Sequence, residues 1–329
     1  LLFLLALLAA RVSAATLGIS GDTFTRDGTP FRMWGVRVAS ASQSDELTAQ
    51  LIANLDDYRA HGINAVTVFY MGSLGGSADP FSPDGKAIEP AHQRRMEQIL
   101  RACDERGLFV VGGIFYQNVK KPRLKDWDAC REAVRTVTTA IKPWKNVILN
   151  IANEQTSKEY ESKPWSRVRD TQELIALCRL VKETDPARLV GAGGFDGKNN
   201  QILGRAPEVD ALLYDHNKTE PSPAELATRY REAGITKPIV NVELFGAWTR
   251  EHRPAGVYSD EAKQQHYRAI DEALQTPGHF LFFHSSPWLQ ASTEPDAKVR
   301  FDLGGKGTPD DRGIRWYFEH LKSRTENAR

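Results

Sequence analysis

The 329-residue chain is poor in sulfur, with three cysteines and three methionines, and it carries almost no excess charge, 43 Lys and Arg against 42 Asp and Glu. Three cysteines cannot all pair, and Cys103, Cys130 and Cys178 make neither a C-x-x-C pair nor a Cys/His cluster at metal-ligand spacing. A disulfide-stapled scaffold and a zinc-ribbon centre are therefore excluded. Cys103 follows Met96 and Leu100, and Cys178 lies between Leu174 and Val181, so buried structural thiols are expected, with one disulfide left open. A net charge of +1 gives no general attraction to nucleic acid or an acidic membrane surface. Also missing are a G-x-G-x-x-G after the first strand and a G-x-S-x-G; Gly191 to Asn199 has the wrong glycine spacing for a phosphate loop. A metal-dependent barrel hydrolase would need paired His on strand one, where Trp34, Gly35, Val36 and Arg37 stand instead. No metal or cofactor is expected.

Long apolar runs are absent except at Leu1 to Ala10, which with Val12-Ser13-Ala14 reads as the hydrophobic region and small-residue cleavage site of an export signal. The run is about half a spanning helix, which disfavours a membrane anchor. It has no initiator Met and no basic segment before it, as a truncated signal would. Residues 1–15 are expected to be that signal and 16–329 a single domain, secreted or periplasmic and monomeric. No low-complexity tract or Pro/Ser linker divides the rest.

What the chain does have is a pair of carboxylates at the ends of apolar runs. In K-N-V-I-L-N-I-A-N-E-Q (Lys145 to Gln155), Val147, Ile148, Leu149 and Ile151 form a run too short for a helix, followed by Glu154. In P-I-V-N-V-E-L-F-G (Pro238 to Gly246), Ile239, Val240 and Val242 lead to Glu243. Two carboxylates leaving two strand ends are what glycosidic bond cleavage requires, one as proton donor and one as nucleophile or base. Either alone reads better as a strand-end carboxylate in an ordinary salt bridge.

The other elements alternate. Strands are expected at Phe31 to Ala39, Ile63 to Phe69, Leu108 to Phe115, Arg188 to Ala192, Ala211 to Tyr214 and His279 to His284, besides the two above. Between them lie helices: one capped by Ser44 and ended at Gly62, one opened by Pro90 and ended at Gly107, and others at Asp126 to Ile141, Ser166 to Thr184, after Asn199, Ser222 to Ala233, Asp260 to Leu274 and Asp310 to Leu321. Eight strand-helix units in one chain, with 41% hydrophobic residues to fill a core, predict an α/β fold of the single (β/α)8 barrel type. A doubly wound open sheet is the alternative. The long connections all follow strands, and the helix-to-strand turns such as His61-Gly62 are short. That asymmetry marks one working face.

Asn153-Glu154 after strand four and Glu243 after strand seven resemble the retaining glycoside hydrolases of clan A, nearest to the cellulase-like family five. The resemblance spans nearly the whole barrel through short motifs. It implies that Glu154 is the general acid/base, Glu243 the nucleophile and Asn153 the residue that binds the sugar 2-hydroxyl. His216 resembles the His that the family places after strand six, and Phe245-Gly246 the aromatic-Gly pair after the nucleophile. Several positions differ. Thr67 stands where the family has Arg, Arg37 where it has Asn, Tyr116 and Gln117 where it has His, and Gln155 where it has Pro; His284 and Trp288 lie where a platform Trp is expected. Arg37 is therefore expected to supply the cation that keeps Glu243 ionised.

Tyr70, Tyr116, Trp165, Trp248 and Trp288 fall in or beside the loops of the working face and, with Tyr214, are candidates to stack on sugar rings; ordinary loop packing is the competing reading. Lys120, Lys121, Arg123 and Lys125, and Arg250, His252 and Arg253, form either a solvated surface or a site for an anionic glycan. The expected partner is a poly- or oligosaccharide, with no nucleic acid and no membrane beyond the export signal. A secreted carbohydrate-binding barrel without turnover is the competing function.

Overall fold

The structure, a computed structural model, describes residues 15–72, 79–216, 221–246, 255–290 and 298–326. It opens with a three-stranded antiparallel sheet, β1 (Leu17–Ser20), β2 (Thr23–Arg26) and β3 (Thr29–Phe31). Eight parallel strands then close into a barrel: β4 (Trp34–Arg37), β5 (Ala65–Phe69), β6 (Phe109–Phe115), β7 (Val147–Ala152), β8 (Leu189–Ala192), β9 (Ala211–Asp215), β10 (Ile239–Glu243) and β11 (His279–Phe283). Helices α1 (Asp45–Ala60), α2 (Pro90–Asp104), α3 (Trp127–Ala140), α4 (Thr171–Thr184), α5 (Gly197–Arg205), α6 (Pro223–Glu232), α7 (Asp260–Gln275) and α8 (Arg315–Glu326) follow β4 to β11 in turn. The fold is the single (β/α)8 barrel that the alternation predicts.

Local chemistry sets the helix starts. Ser44 accepts the Leu47 N–H, and Asp126, Asp170, Asp196, Ser222 and Ser259 cap their helices likewise, each satisfying donors the first turn leaves free. Alternation along the strands then builds two cores. Val36, Val68, Val110, Leu149, Ile151, Val190 and Leu281 pack outward against buried helix residues such as Leu51, Met96, Val134 and Leu177. The positions between them, Ala65, Phe109, Val111, Ile148, Leu213, Phe280 and Phe282, pack with one another and with Leu17, Phe24, Phe31 and Met33 from the N-terminal segment, which places them inside the barrel.

The N-terminal sheet closes the lower mouth. Phe24 lies against Phe280 with ring centroids 5.0 Å apart, Phe31 against Phe109 at 4.8 Å, and Arg26 donates to the Gly107 carbonyl. Continuing the alternation upward turns the lumen polar, with Arg37, Thr67, Asn150, Asp215 and His284 all buried.

Three expectations change. Thr29 to Phe31 belongs to the antiparallel sheet, so barrel strand one begins at Trp34, after Arg32 has turned to donate to the Ala273 and His279 carbonyls. The helix expected from Ser166 is instead two 3-10 turns, Lys158–Ser162 and Ser166–Arg169, with α4 starting after the Asp170 cap. Asp310 to Gly313 pairs back on the chain through Gly304 and Gly313, delaying α8 to Arg315. The three cysteines are free and buried.

Candidate active site

The carboxylates are placed by backbone irregularity at two strand ends. Val240 and Val242 face the lumen, so a regular β10 would aim Glu243 outward. The register between β9 and β10 shifts between Asn241 and Glu243, and the Asn241 Oδ1 accepts the Glu243 N–H at 3.1 Å, which re-aims the side chain. On β7 the corresponding device is Glu154 itself, with φ of 44°, a left-handed conformation that costs a non-glycine residue about 1 kcal/mol. Its N–H is held by Asp215 Oδ2 at 3.1 Å, and its carbonyl accepts the Ser157 N–H at 2.8 Å.

Arg37 is the hub. Its guanidinium, fully buried, lies 3.5 Å from Glu243 Oε2 and donates to Asn153 Oδ1 at 2.8 Å, Tyr116 OH at 3.1 Å and Gln290 Oε1 at 3.3 Å. It rests over the Phe69 ring, 5.2 Å from the centroid. Gly113, next to Phe69 across β5 and β6, leaves room for that ring, since a Cβ there would sit 2.0 Å from it. The expected reach from Arg37 to Glu243 is thus present in the structure. On the other side His284 Nε2 lies 3.5 Å from Glu243 Oε1. Asn153 is fixed at both ends, accepting from Arg37 and donating to Gln117 Oε1 at 3.1 Å, while Tyr160 OH donates to the Asn153 carbonyl at 2.5 Å.

Electrostatics separates the two glutamates. Burial pushes Glu154 well above the usual carboxylate range, and the charges of Glu243 and Asp215 push it further, with Arg37 opposing. Burial also raises Glu243, but the Arg37 cation opposes that directly. The Arg37 cation therefore favours ionisation at Glu243 over Glu154. Asp215 is pushed up to about 8, by burial first and by Glu243 next. Burial, with Arg37 nearby, holds His284 well below its ordinary range, so it meets Glu243 as a neutral ring.

The other sequence candidates divide. Tyr116 and Asn153 join the Arg37 network. His216 lies beside the site, its N–H donating to the Glu243 carbonyl at 3.4 Å and its Nε2 3.0 Å from the Pro221 carbonyl oxygen. Tyr214 does not join: its ring packs between Tyr230 and His279 in the outer core, its hydroxyl reaching the Pro223 carbonyl. Tyr70 likewise turns away from the lumen, against Phe81 and His92. Both err by one position, because the inward neighbours are Asp215 and Phe69. Trp288 is 5% exposed, with Arg300 over its ring at 5.1 Å and its Nε1–H donating to the Asp302 carbonyl, so its face is already covered. Trp165 is buried against Phe115. Trp248, Arg250, His252 and Arg253 lie outside the described residues. Lys120, Lys121, Arg123 and Lys125 are exposed.

Sequence reasoning missed Asp215 and Gln290 as members of the cluster. For Asp215 the signal was there, since Ala211 to Tyr214 is another apolar run ending in a carboxylate. Gln290 lies in a long loop with no pattern to single it out. A separate cavity of about 710 Å³ at the opposite end, lined by Arg26, Phe31, Arg32 and Trp34 among others, contains none of these residues.

Comparison with solved structures decides what this barrel is similar to. A family 5 glycoside hydrolase from Bacteroides vulgatus aligns with 94% of this chain and 68% of its own at TM-score 0.64 and 12% identity. A β-mannanase from the blue mussel Mytilus edulis aligns over 95% and 98% at TM-score 0.60 and 16% identity. The fold is the one these glycoside hydrolases share. A β-glucanase from Saccharophagus degradans, solved with cellotetraose, aligns over 95% and 94% at TM-score 0.61 and 13% identity. No protein-family model matches the chain, and no curated protein sequence does. At 12–16% identity the likeness concerns the fold alone.

Proposed function

We propose that the chain is an exported retaining glycoside hydrolase acting on a β-linked poly- or oligosaccharide, with Glu243 as nucleophile and Glu154 as acid/base. The observation that carries this reading is the unequal treatment of two neighbouring carboxyl groups: Glu243 is ion-paired with Arg37 at 3.5 Å, whereas Glu154, partly exposed, is pushed toward its protonated form. In the first step the Glu243 carboxylate attacks the anomeric carbon as Glu154 gives its proton to the departing oxygen, leaving a glycosyl ester on Glu243. Glu154, now ionised, takes a proton from water, and the resulting hydroxide attacks the same carbon and releases Glu243. Asn153 keeps one amide N–H beyond its bond to Gln117, and we assign that donor to the sugar hydroxyl beside the reacting carbon. Neutral His284 holds the other Glu243 oxygen without competing for charge.

The mannanase and glucanase folds favour β-mannans and β-glucans as first substrates to try. Turnover of a panel of aryl glycosides and polysaccharides by wild type, Glu154→Gln and Glu243→Gln tests the assignment, and proton NMR of the first-formed product reads its anomeric configuration. Retention in the wild type, with both variants down by about a thousandfold or more, is the expected result. Binding of oligosaccharides with equal trace rates from all three proteins would leave a carbohydrate-binding barrel in its place. Export predicts that mature protein recovered from the producing cell begins near residue 15 or 16, checked by N-terminal sequencing.

A further inference from the structure

Three carboxyl groups, not two, meet at the mouth of the barrel. Asp215 ends β9 directly opposite Glu243 in the β9–β10 pairing, and its Oδ2 takes the N–H of Glu154, which follows β7 two strands away, at 3.1 Å. Its second oxygen is buried without a hydrogen-bond partner among the described residues. A buried carboxyl serving only the fold would have both oxygens satisfied or be paired with a cation. Here the cation in contact with the trio, among the described residues, is Arg37, and it is placed against Glu243.

We propose that Asp215 is a positioning residue for the hydrolysis: it holds Glu154 in its left-handed backbone conformation and sets the pH range over which Glu154 keeps its proton. This rests on the assignment of Glu154 as the acid/base. The positional part follows from the hydrogen bond, because Asp215 Oδ2 receives the Glu154 N–H while φ is 44°. The electrostatic part follows from charge: three carboxyl groups facing one guanidinium cannot all ionise, so Asp215 and Glu154 retain protons that Glu243 gives up. The groups that face Asp215 are Glu154 from the end of β7, Glu243 from β10, Arg37 from β4, Tyr160 from the loop after β7 and Tyr230 from α6, with His216 next to it in the chain. Of these, Glu154 is the one whose protonation the reaction uses while it faces an ionising Asp215 with no cation of its own.

Two variants separate the two parts. Asp215→Asn keeps an oxygen for the Glu154 N–H and removes the charge; Asp215→Ala removes both. On an aryl glycoside whose leaving group needs a proton, Asp215→Asn is expected to move the basic limb of the kcat/KM profile down by about one pH unit and to leave KM nearly unchanged. With a leaving group that departs unprotonated, the Asp215→Asn deficit on the first step should vanish. Asp215→Ala should show the same shift plus about a tenfold further loss in kcat, from a misplaced acid. A basic limb that stays put in a folded Asp215→Asn protein overturns the inference. Should wild type turn over no glycoside at all, the functional assignment fails first. The inference is then read from the Glu154 carboxyl titration followed by carbon-13 NMR, with Glu154→Gln as assignment control: a lower midpoint in Asp215→Asn sustains it, and an unchanged midpoint removes it.

Discussion

Replacing Arg37 by methionine keeps an unbranched chain in the lumen and removes the cation that, among the described residues, favours an ionised Glu243. The guanidinium lies 3.5 Å from the Glu243 carboxylate, where Coulomb attraction at an effective dielectric of 20 is worth about 5 kcal/mol, a ceiling of roughly three and a half pH units on the shift. Burial already pushes Glu243 up, and in the variant no cation among the described residues opposes it. The acidic limb of kcat/KM should therefore move up by about one to three units, with each unit costing about tenfold at a pH below the wild-type limb. Activity should recover in part on going alkaline, until Glu154 loses its proton. The loss also orphans Asn153 Oδ1 and Gln290 Oε1 and leaves the Tyr116 hydroxyl only its 3.5 Å bond from Gln290 Nε2, a structural cost on the order of 3–5 kcal/mol that Glu243 softens by taking up a proton. Thermal melts must accompany the kinetics for that reason. The assay is the pH profile on an aryl glycoside whose leaving group needs no acid, so that only the nucleophile is read. Arg37→Lys, with charge but no fork, should fall between. A folded Arg37→Met enzyme whose acidic limb coincides with wild type would refute the pairing as the source of ionisation.

Three further outcomes are expected. Glu154 has its folded-state pKa raised above the unfolded value, so the native state binds the extra proton between those two values and stability falls as pH rises through that window; Glu154→Gln, free of that loss, should melt above wild type at neutral pH by a margin that widens from pH 5 to pH 8 in calorimetry. Gly113→Ala places a Cβ 2.0 Å from the Phe69 ring and so pushes it toward Arg37, which should lower the urea midpoint by about 1–3 kcal/mol equivalent and depress turnover together. The thiols of Cys103, Cys130 and Cys178 are buried and all pushed up by burial, Cys103 to about 12, so an aromatic disulfide reagent should register none of them in native protein and all three in denaturant.

Much of the barrel was legible because each buried strand is a short apolar run bounded by turns, and eight such runs alternating with helical patterns leave few other topologies. The two glutamates were legible for the same reason, as charges at the point where a run stops. Parity was the harder matter. Tyr214 and Tyr70 were read as site residues because aromatic side chains near strand ends attract that reading, yet strict alternation from Leu213 and Thr67 puts Asp215 and Phe69 inside and sends the tyrosines outward. Glu243 reaches the site only because β10 slips, and no pattern in I-V-N-V-E announces a slip. Trp288 was judged by ring type, whereas its availability depends on Arg300, twelve residues on, which covers its face. The N-terminal sheet went unread although Asp27-Gly28, both at positive φ, is a hairpin signal between two short strands.

That small sheet decides how the molecule can be tethered. With Phe24 and Phe31 plugged into the lower mouth, the chain enters the described structure on the side away from Glu154 and Glu243. Helix α8 runs down to the same side, Thr325 lying beside Gly62 at the foot of β5. A linker or fused module joined at residue 15 or residue 326 would stand behind the barrel, leaving the opening that holds Glu154 and Glu243 facing the other way.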